Sequence, residues 1–239
     1  MREFVKSVLK SNGWLRFLYE PLRRLYRLWA IPRRRRLLKK NGPAVLQALA
    51  EVFRRRGIPA FAAYGTMLGL VREHGFIPHD EDIDIGVMPG EWTAPRLLRT
   101  LLEDEKGFRF LFAFKFRGKV TEFKMEYLGI PIDFFFYDET GTEFLSPLYF
   151  YVDGVEYPAA NANSMKIVHT VKFEGIKWVP AFGGTFPVVA NYDRALTALY
   201  GATWRIPDAG WHDGKRPHIE DVNEFGYCIP LEEAMALEG

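Results

Sequence analysis

The sequence predicts an α/β (α+β) fold, a mixed sheet flanked by helices, with a basic amphipathic helical segment in front of it. Three observations carry this. Apolar residues recur at helical spacing in several windows of ten or more residues. The run "DIDIGV" at 82–87 places Asp82 and Asp84 on one face and Ile83 and Ile85 on the other. Three strand-like runs follow one another with Gly118 and Gly129 at the turns, which makes part of the sheet antiparallel.

The first element is the basic segment, residues 1–42. Leu15, Leu18, Leu22, Leu25, Tyr26 and Trp29 recur at helical spacing, Arg16, Arg23, Arg24 and Arg27 fall on other faces, and a tetra-arginine run follows at 33–36. Such a helix suits an anionic membrane surface. Trp14 and Trp29 fit the headgroup boundary, and each basic residue there adds about 1 kcal/mol. Docking of the apolar stripe on the domain is the second reading; a nucleic-acid arm is the least favoured, and no nucleic-acid partner is expected.

Residues 43–239 read as one compact domain. Pro43–Arg56 is a helix with Val45, Leu46, Leu49, Ala50 and Phe53 on one side and Gly57 as its stop. "IPAFAAYGT" is a short buried strand ending in a Gly-containing turn, and Thr66–Val71 begins a second helix. After the 82–87 strand, "GEWTAPRLLRTLLEDEKG" is a helix closed by Gly107. Phe108–Phe116, Val120–Tyr127 and Ile130–Tyr137 are strands, "MKIVHTVKFEGIKWVPA" contains further short ones, and "NYDRALTALYG" is a helix ended by Gly201.

Composition excludes several classes. With 48% hydrophobic and 15% aromatic residues, the chain has the apolar surface that disordered proteins lack. A single cysteine, Cys228, rules out an intrachain disulfide framework and a multi-cysteine zinc site. No run approaches the ~20 uncharged apolar residues of a membrane span, and the N-terminus lacks an apolar leader core, so a cytoplasmic protein is expected. The net charge of +2 conceals an asymmetry: residues 1–40 carry thirteen Lys/Arg against Glu3 and Glu20, the remainder nineteen against twenty-eight acids. The two parts are expected to do different jobs.

The acids carry the chemistry. Asp82 and Asp84 are about 7 Å apart on one strand face and can converge on one cation. Carboxylates, waters and substrate phosphate are the hard oxygen ligands that Mg²⁺ prefers, with Mn²⁺ as a substitute. Asp133 is a lone acid between Ile132 and Phe134, costly to bury without a partner. It either joins the metal site, takes a proton from an attacking hydroxyl, or pairs with a lysine such as Lys124. Gly65 and Thr66, at the start of a helix, offer backbone N–H groups and a hydroxyl to a phosphate. Arg72, two turns on, reaches a diphosphate or stays at the surface.

These residues, "GTMLGLVREHGFIPHDEDIDIGV", resemble the LicD and fukutin-related family, whose usual pattern is Gly-Thr, Leu-Gly, Arg, Gly-Phe-Ile-Pro and an acidic run ending Asp-Ile-Asp. "PIDFFFYD" is similar to that family's third-acid strand, and the segment ending "YGATWRIPD" to its closing motif. The chain departs from the pattern at His79-Asp80-Glu81-Asp82, where Trp-Asp-Asp-Asp is commoner; Asp80 is retained and Glu81 keeps the charge. The resemblance implies a nucleotidyltransferase-like fold with Asp82 and Asp84 on Mg²⁺, Asp133 completing the site or acting as base, Gly65, Thr66 and Arg72 on the donor phosphates, and Asp80 behind them.

It further implies transfer of a phospho-alcohol group, phosphocholine or a polyol phosphate, from a CDP-linked donor to a glycan or lipid-linked glycan hydroxyl, with release of CMP. Nucleotidyl transfer from a nucleoside triphosphate with release of pyrophosphate is the alternative, and a non-catalytic membrane-associated scaffold a third. Glu81 is expected to be solvated, and His74 and His79 to be incidental. Residues 211–221, with His212, Asp213, His218, Glu220 and Asp221, read as a polar surface loop. Lys115, Arg117, Lys119 and Lys124 form a basic set across two strands that either receives an anion or faces solvent.

Overall fold

The computed structural model describes residues 13–103, 105–150, 152, 155–208, 210–211 and 218–237, with side chains from residue 28 onward. Leu15 to Tyr26 of the amphipathic stripe, Trp14, and His212 and Asp213 therefore lie outside the described side chains. One helix, α1 (Gly13–Arg56), runs for 44 residues straight through Pro32, Gly42 and Pro43, a length of about 66 Å. The basic segment and the first domain helix are thus one element. Its C-terminal half buries Leu38, Val45, Leu46, Leu49, Ala50 and Phe53 in the core, and Ile58 N–H closes the end on the Phe53 carbonyl.

Strand β1 (Ala60–Ala62) is wholly buried and leads into helix α2 (Tyr64–Arg72). Next come β2 (Ile83–Val87), helix α3 (Ala94–Glu103), and the meander β3 (Arg109–Phe116), β4 (Lys119–Tyr127) and β5 (Ile130–Phe136). Arg117-Gly118 and Leu128-Gly129 both have positive φ throughout, which is the two-residue turn that matches the twist of antiparallel strands. Strands β6 (Asp138–Glu139), β7 (Glu143–Phe150), β8 (Ala162–Val171), β9 (Ile176–Ala181) and β10 (Gly184–Val189) follow, then helix α4 (Tyr192–Tyr200), β11 (Ile219–Ile229) and helix α5 (Leu231–Ala236).

Nine strands form one sheet in the order β1-β2-β5-β4-β3-β11-β8-β7-β6; β9 and β10 form a separate hairpin. Within the large sheet β2 and β5 are parallel and the other pairs antiparallel. Central β5 is apolar on both faces, as a strand covered on both sides must be, with Asp133 its one charge. The sheet curls enough to bring β7 back over the site: Tyr64 Oη of α2 donates to Ser146 Oγ at 2.6 Å, and the Tyr149 ring stacks on Phe114 of β3.

The expected strands and helices between residues 43 and 200 are present, with ends moved by a few residues except at the first helix, which extends back to Gly13. Strands β7, β10 and β11 and helix α5 carry no clear sequence pattern. Pro147 and Pro187 interrupt the first two. Pro147 is tolerated because β6 covers β7 only at Phe144 and Leu145, leaving an open edge beyond. Strand β11 is polar and irregular between Val222 and Phe225, so Glu220 and Asp221 belong to a strand, not to the polar loop the sequence suggested.

Candidate active site

Register brings the acids together. In the parallel pair β2/β5, Asp84 lies opposite Asp133; in the antiparallel pair β4/β5, Lys124 lies opposite Asp133. Asp84, Asp133 and Lys124 therefore form a row across three adjacent strands, roughly 5 Å apart from strand to strand. Asp82 stands one residue before β2. Lys124 Nζ lies 2.7 Å from Asp133 Oδ2 and 3.6 Å from Asp82 Oδ2. The lysine pairing weighed for Asp133 is real, yet it uses one oxygen only: Asp133 Oδ1 is buried with no hydrogen-bond partner.

Burial shapes the charge of this row. Desolvation pushes Asp84 well above the usual carboxylate range, with Asp82 and Asp133 adding to the effect. Asp133 is pushed up to about 6 by burial, although Lys124 opposes it. Glu122, two residues from Lys124 on the same strand face, is buried, and burial followed by the Asp133 charge drives its carboxyl well up. Sequence reasoning missed Glu122. The signal was present in "TEFKMEY", where Glu122, Lys124 and Glu126 alternate with Phe123 and Met125.

Thr66 and Gly65 build the neighbouring wall. Thr66 is buried, and its Oγ1 accepts a hydrogen bond from the Asp84 N–H at 2.9 Å. Ala63 N–H donates to the Asp84 carbonyl, also at 2.9 Å, so both backbone groups of Asp84 are tied to the entry of α2. Gly65 leaves room for Asp80: a Cβ there would stand 3.3 Å from Asp80 Oδ1. Burial, reinforced by Asp82, pushes Asp80 up to about 7, and its Oδ2 is buried without a partner. Tyr64, which opens the helix at φ +42, is the strained residue of this wall.

Arg72 closes α2 and is held in place. Its Nη1 donates to the Trp204 carbonyl at 3.0 Å and its Nε to Glu73 at 2.7 Å. The Trp204 residue is buried, so the carbonyl that holds Arg72 is itself anchored. The helix approaches the following loop closely at Gly69, where a Cβ would overlap the Gly75 carbonyl. Gly75 N–H and Glu73 N–H both donate to the Gly69 carbonyl.

The arginine run divides its work. Arg35 Nε donates to the His79 carbonyl at 3.1 Å, and Arg34 and Arg35 flank Glu81 at 3.7 and 3.9 Å. Glu81, expected to be solvated, is instead the handle by which α1 holds the loop before β2. Asn41 of the same helix donates to the Leu128 carbonyl in the β4–β5 turn. Helix α1 thus splints both units that carry the acids. Lys115, Arg117 and Lys119 pair with Glu233, Glu224 and Asp138 and do not reach the site. His218 is the turn residue just before β11, with Glu220 bound to His169 and Asp221 to Lys166.

The LicD/FKTN/FKRP nucleotidyltransferase-domain model matches residues 57–181, just over half of the chain. The chain belongs to the LicD family. The human ribitol-5-phosphate transferase FKTN is 26% identical over 205 residues, covering 81% of this chain and 41% of the human protein. The mouse protein of the same name is 26% identical over 180 residues, covering 73% of this chain and 35% of its own length. This chain therefore spans about two fifths of the length of the curated relatives it matches. Within the LicD match lie Gly65, Thr66, Arg72, Asp80, Asp82, Asp84, Lys124 and Asp133; Arg34, Arg35 and Trp204, which hold them, lie outside it.

Among the described residues, no three His, Cys, Asp or Glu side chains already stand in a metal-binding group. The donors of this LicD site nevertheless fit a hard divalent cation. Asp80 Oδ2 is a buried oxygen without a partner, and Asp84 is crowded by three other carboxylates, Asp82, Asp133 and Asp80. A cation relieves both conditions at once.

Proposed function

We propose that the chain is a metal-dependent transferase that moves a phospho-alcohol group, of polyol-phosphate or phosphocholine type, from a CDP-activated donor to a glycan hydroxyl. The observation that carries this reading is Asp133, whose buried, unpartnered Oδ1 lies beside Asp84 across the parallel β2/β5 pair. The name of the FKTN relatives, ribitol-5-phosphate transferase, supports the class of group moved.

Asp82 and Asp84, with Asp133 beside them, would hold Mg²⁺ or Mn²⁺, which when bound neutralises phosphate charge and polarises the phosphorus centre. Asp133 accepts the proton of the acceptor hydroxyl. The acceptor oxygen bonds to the phosphorus bearing the alcohol, the bond from that phosphorus to the bridging oxygen breaks, and CMP leaves with the electron pair. Arg72, aimed by the Trp204 carbonyl, balances charge on the donor phosphates. Asp80 stands against Gly65 at the helix entry and fixes the wall they line.

Helix α1 supplies the place of work. Leu28 and Trp29 are exposed, and Arg33 stacks over the Trp29 ring, a combination suited to an anionic membrane surface at the cytoplasmic face, where lipid-linked glycan acceptors are reached. No helix among the described residues is long and apolar enough to cross a membrane. The deciding experiment is a panel of CDP-linked donors with Mg²⁺ and a glycan acceptor, read as CMP release. Activity only with nucleoside triphosphates, with pyrophosphate released, overturns the reading.

A further inference from the structure

Lys124 has no role in the family pattern from which the site was read, yet it holds the best-defined position in the row. Its register partner is Asp133, its ammonium is 2.7 Å from Asp133 Oδ2 and 3.6 Å from Asp82 Oδ2, and its side chain is largely buried. Glu122, buried beside it on β4, is the third carboxylate acting on it. The two ion pairs hold the Lys124 ammonium between the Asp82 and Asp133 carboxylates.

Two-metal phosphoryl-transfer sites place their ions about 3.5–4 Å apart, bridged by shared carboxylates. Here the space between Asp82 and Asp133 that a second ion would need already contains a positive group, and the two like charges repel at that range. We infer that Lys124 stands in for a second cation, so that the site takes a single divalent ion on Asp82 and Asp84 and leaves Asp133 as the proton acceptor. Lys124 acts as a positioning residue: it claims Asp133 Oδ2 and leaves the unpartnered Oδ1 to take the proton. This inference rests on the metal-dependent reading proposed above and fixes the number of ions within it.

The test is a Mn²⁺ titration of the full chain, with free Mn²⁺ followed by electron paramagnetic resonance, alone and with saturating CMP. The wild type is expected to bind one Mn²⁺ per chain under both conditions. Lys124→Met, which removes the charge and keeps an unbranched side chain of similar shape, is expected to gain a second Mn²⁺ site and to lose kcat about 100-fold, with donor KM within about threefold. Two ions in the wild type, or a folded Lys124→Met that still binds one, overturns the inference while leaving the transferase reading intact. No Mn²⁺ in the wild type removes the metal-dependent reading and this inference with it. Should Lys124→Met fail to fold, the wild-type count alone decides, and Lys124→Met/Asp133→Asn supplies a neutral pair for the second arm.

Discussion

Thr66 Oγ1 accepts the backbone N–H of Asp84 at 2.9 Å, so the helix that follows the glycine turn also sets the height of the aspartate strand. Thr66, which the sequence places at the phosphates, is buried, and this hydrogen bond makes it a peg between α2 and β2. Thr66→Val keeps the shape and leaves the Asp84 N–H unsatisfied, which costs about 1–3 kcal/mol. The expected result is that loss in urea unfolding together with reduced CMP release, while Thr66→Ser stays near wild type. Equal stability of the Val and Ser variants would show that the peg carries no weight.

Asp82→Asn and Asp84→Asn change ligand charge with little change in volume. Both are expected to abolish transfer, a loss of about 10³-fold or more, while circular dichroism and unfolding midpoints stay close to wild type. EDTA is expected to silence the wild type and Mg²⁺ or Mn²⁺ to restore it. Near-normal turnover by both variants would remove the carboxylates from the metal site.

Gly69 gives a prediction whose sign is diagnostic. In an ordinary helix interior Gly→Ala stabilises by roughly 0.5–1 kcal/mol. At Gly69 the added methyl would overlap the backbone carbonyl of Gly75, which cannot rotate away. Gly69→Ala is therefore expected to destabilise by about 1–3 kcal/mol and to displace the loop that leads to Asp80. A raised melting temperature would contradict the close approach.

His169 links three strands. Its Nδ1 lies 2.9 Å from Glu143 of β7 and its Nε2 3.1 Å from Glu220 of β11. These hydrogen bonds, the one to Glu143 first, raise the imidazole above its usual 6.5. A group whose folded value is raised adds stability that is complete below the unfolded value and is lost as pH rises through the folded one. The wild type is thus expected to lose more stability than His169→Gln between pH 6 and pH 8.5 in parallel thermal melts. Identical slopes would exclude the linkage.

The arginine run should separate by mutation. Replacing Arg33, Arg36, Lys39 and Lys40 with Ser is expected to weaken cosedimentation with anionic liposomes and to spare activity on a soluble acceptor. Replacing Arg34 and Arg35 with Ala loosens the His79–Glu81 loop and should lower that activity by several-fold, in keeping with the modest worth of exposed ion pairs, about 0–1 kcal/mol each. Liposome binding unaffected by the first set would refute the membrane-surface role. Deleting residues 1–40 is expected to weaken liposome cosedimentation and activity together.

Much of the fold was legible because its signals are local. The alternation of Asp82 to Val87, the apolar run of Ile130 to Phe136 and the turns at Gly118 and Gly129 each depend on a few consecutive residues, and each is where it was expected. Strands β7 and β10 were hidden by Pro147 and Pro187, and β11 by its polarity and its irregular register. The strand conformation of β7 and β11 is imposed by partners distant in sequence, and that of β10 by its hairpin partner β9.

By itself the sequence determined that Asp82 and Asp84 share a face, that a Gly-Thr helix entry precedes them, and that Asp133 lies in a strand too apolar to hold a charge idly. Only the tertiary structure decided which groups meet. The parallel β2/β5 register set Asp84 against Asp133, the β4/β5 register set Lys124 against the same carboxylate, and the reach of α1 brought Arg34 and Arg35 to Glu81. Periodicity along a strand is written in adjacent residues. Which strand lies beside it, and in what register, depends on contacts between residues distant in sequence.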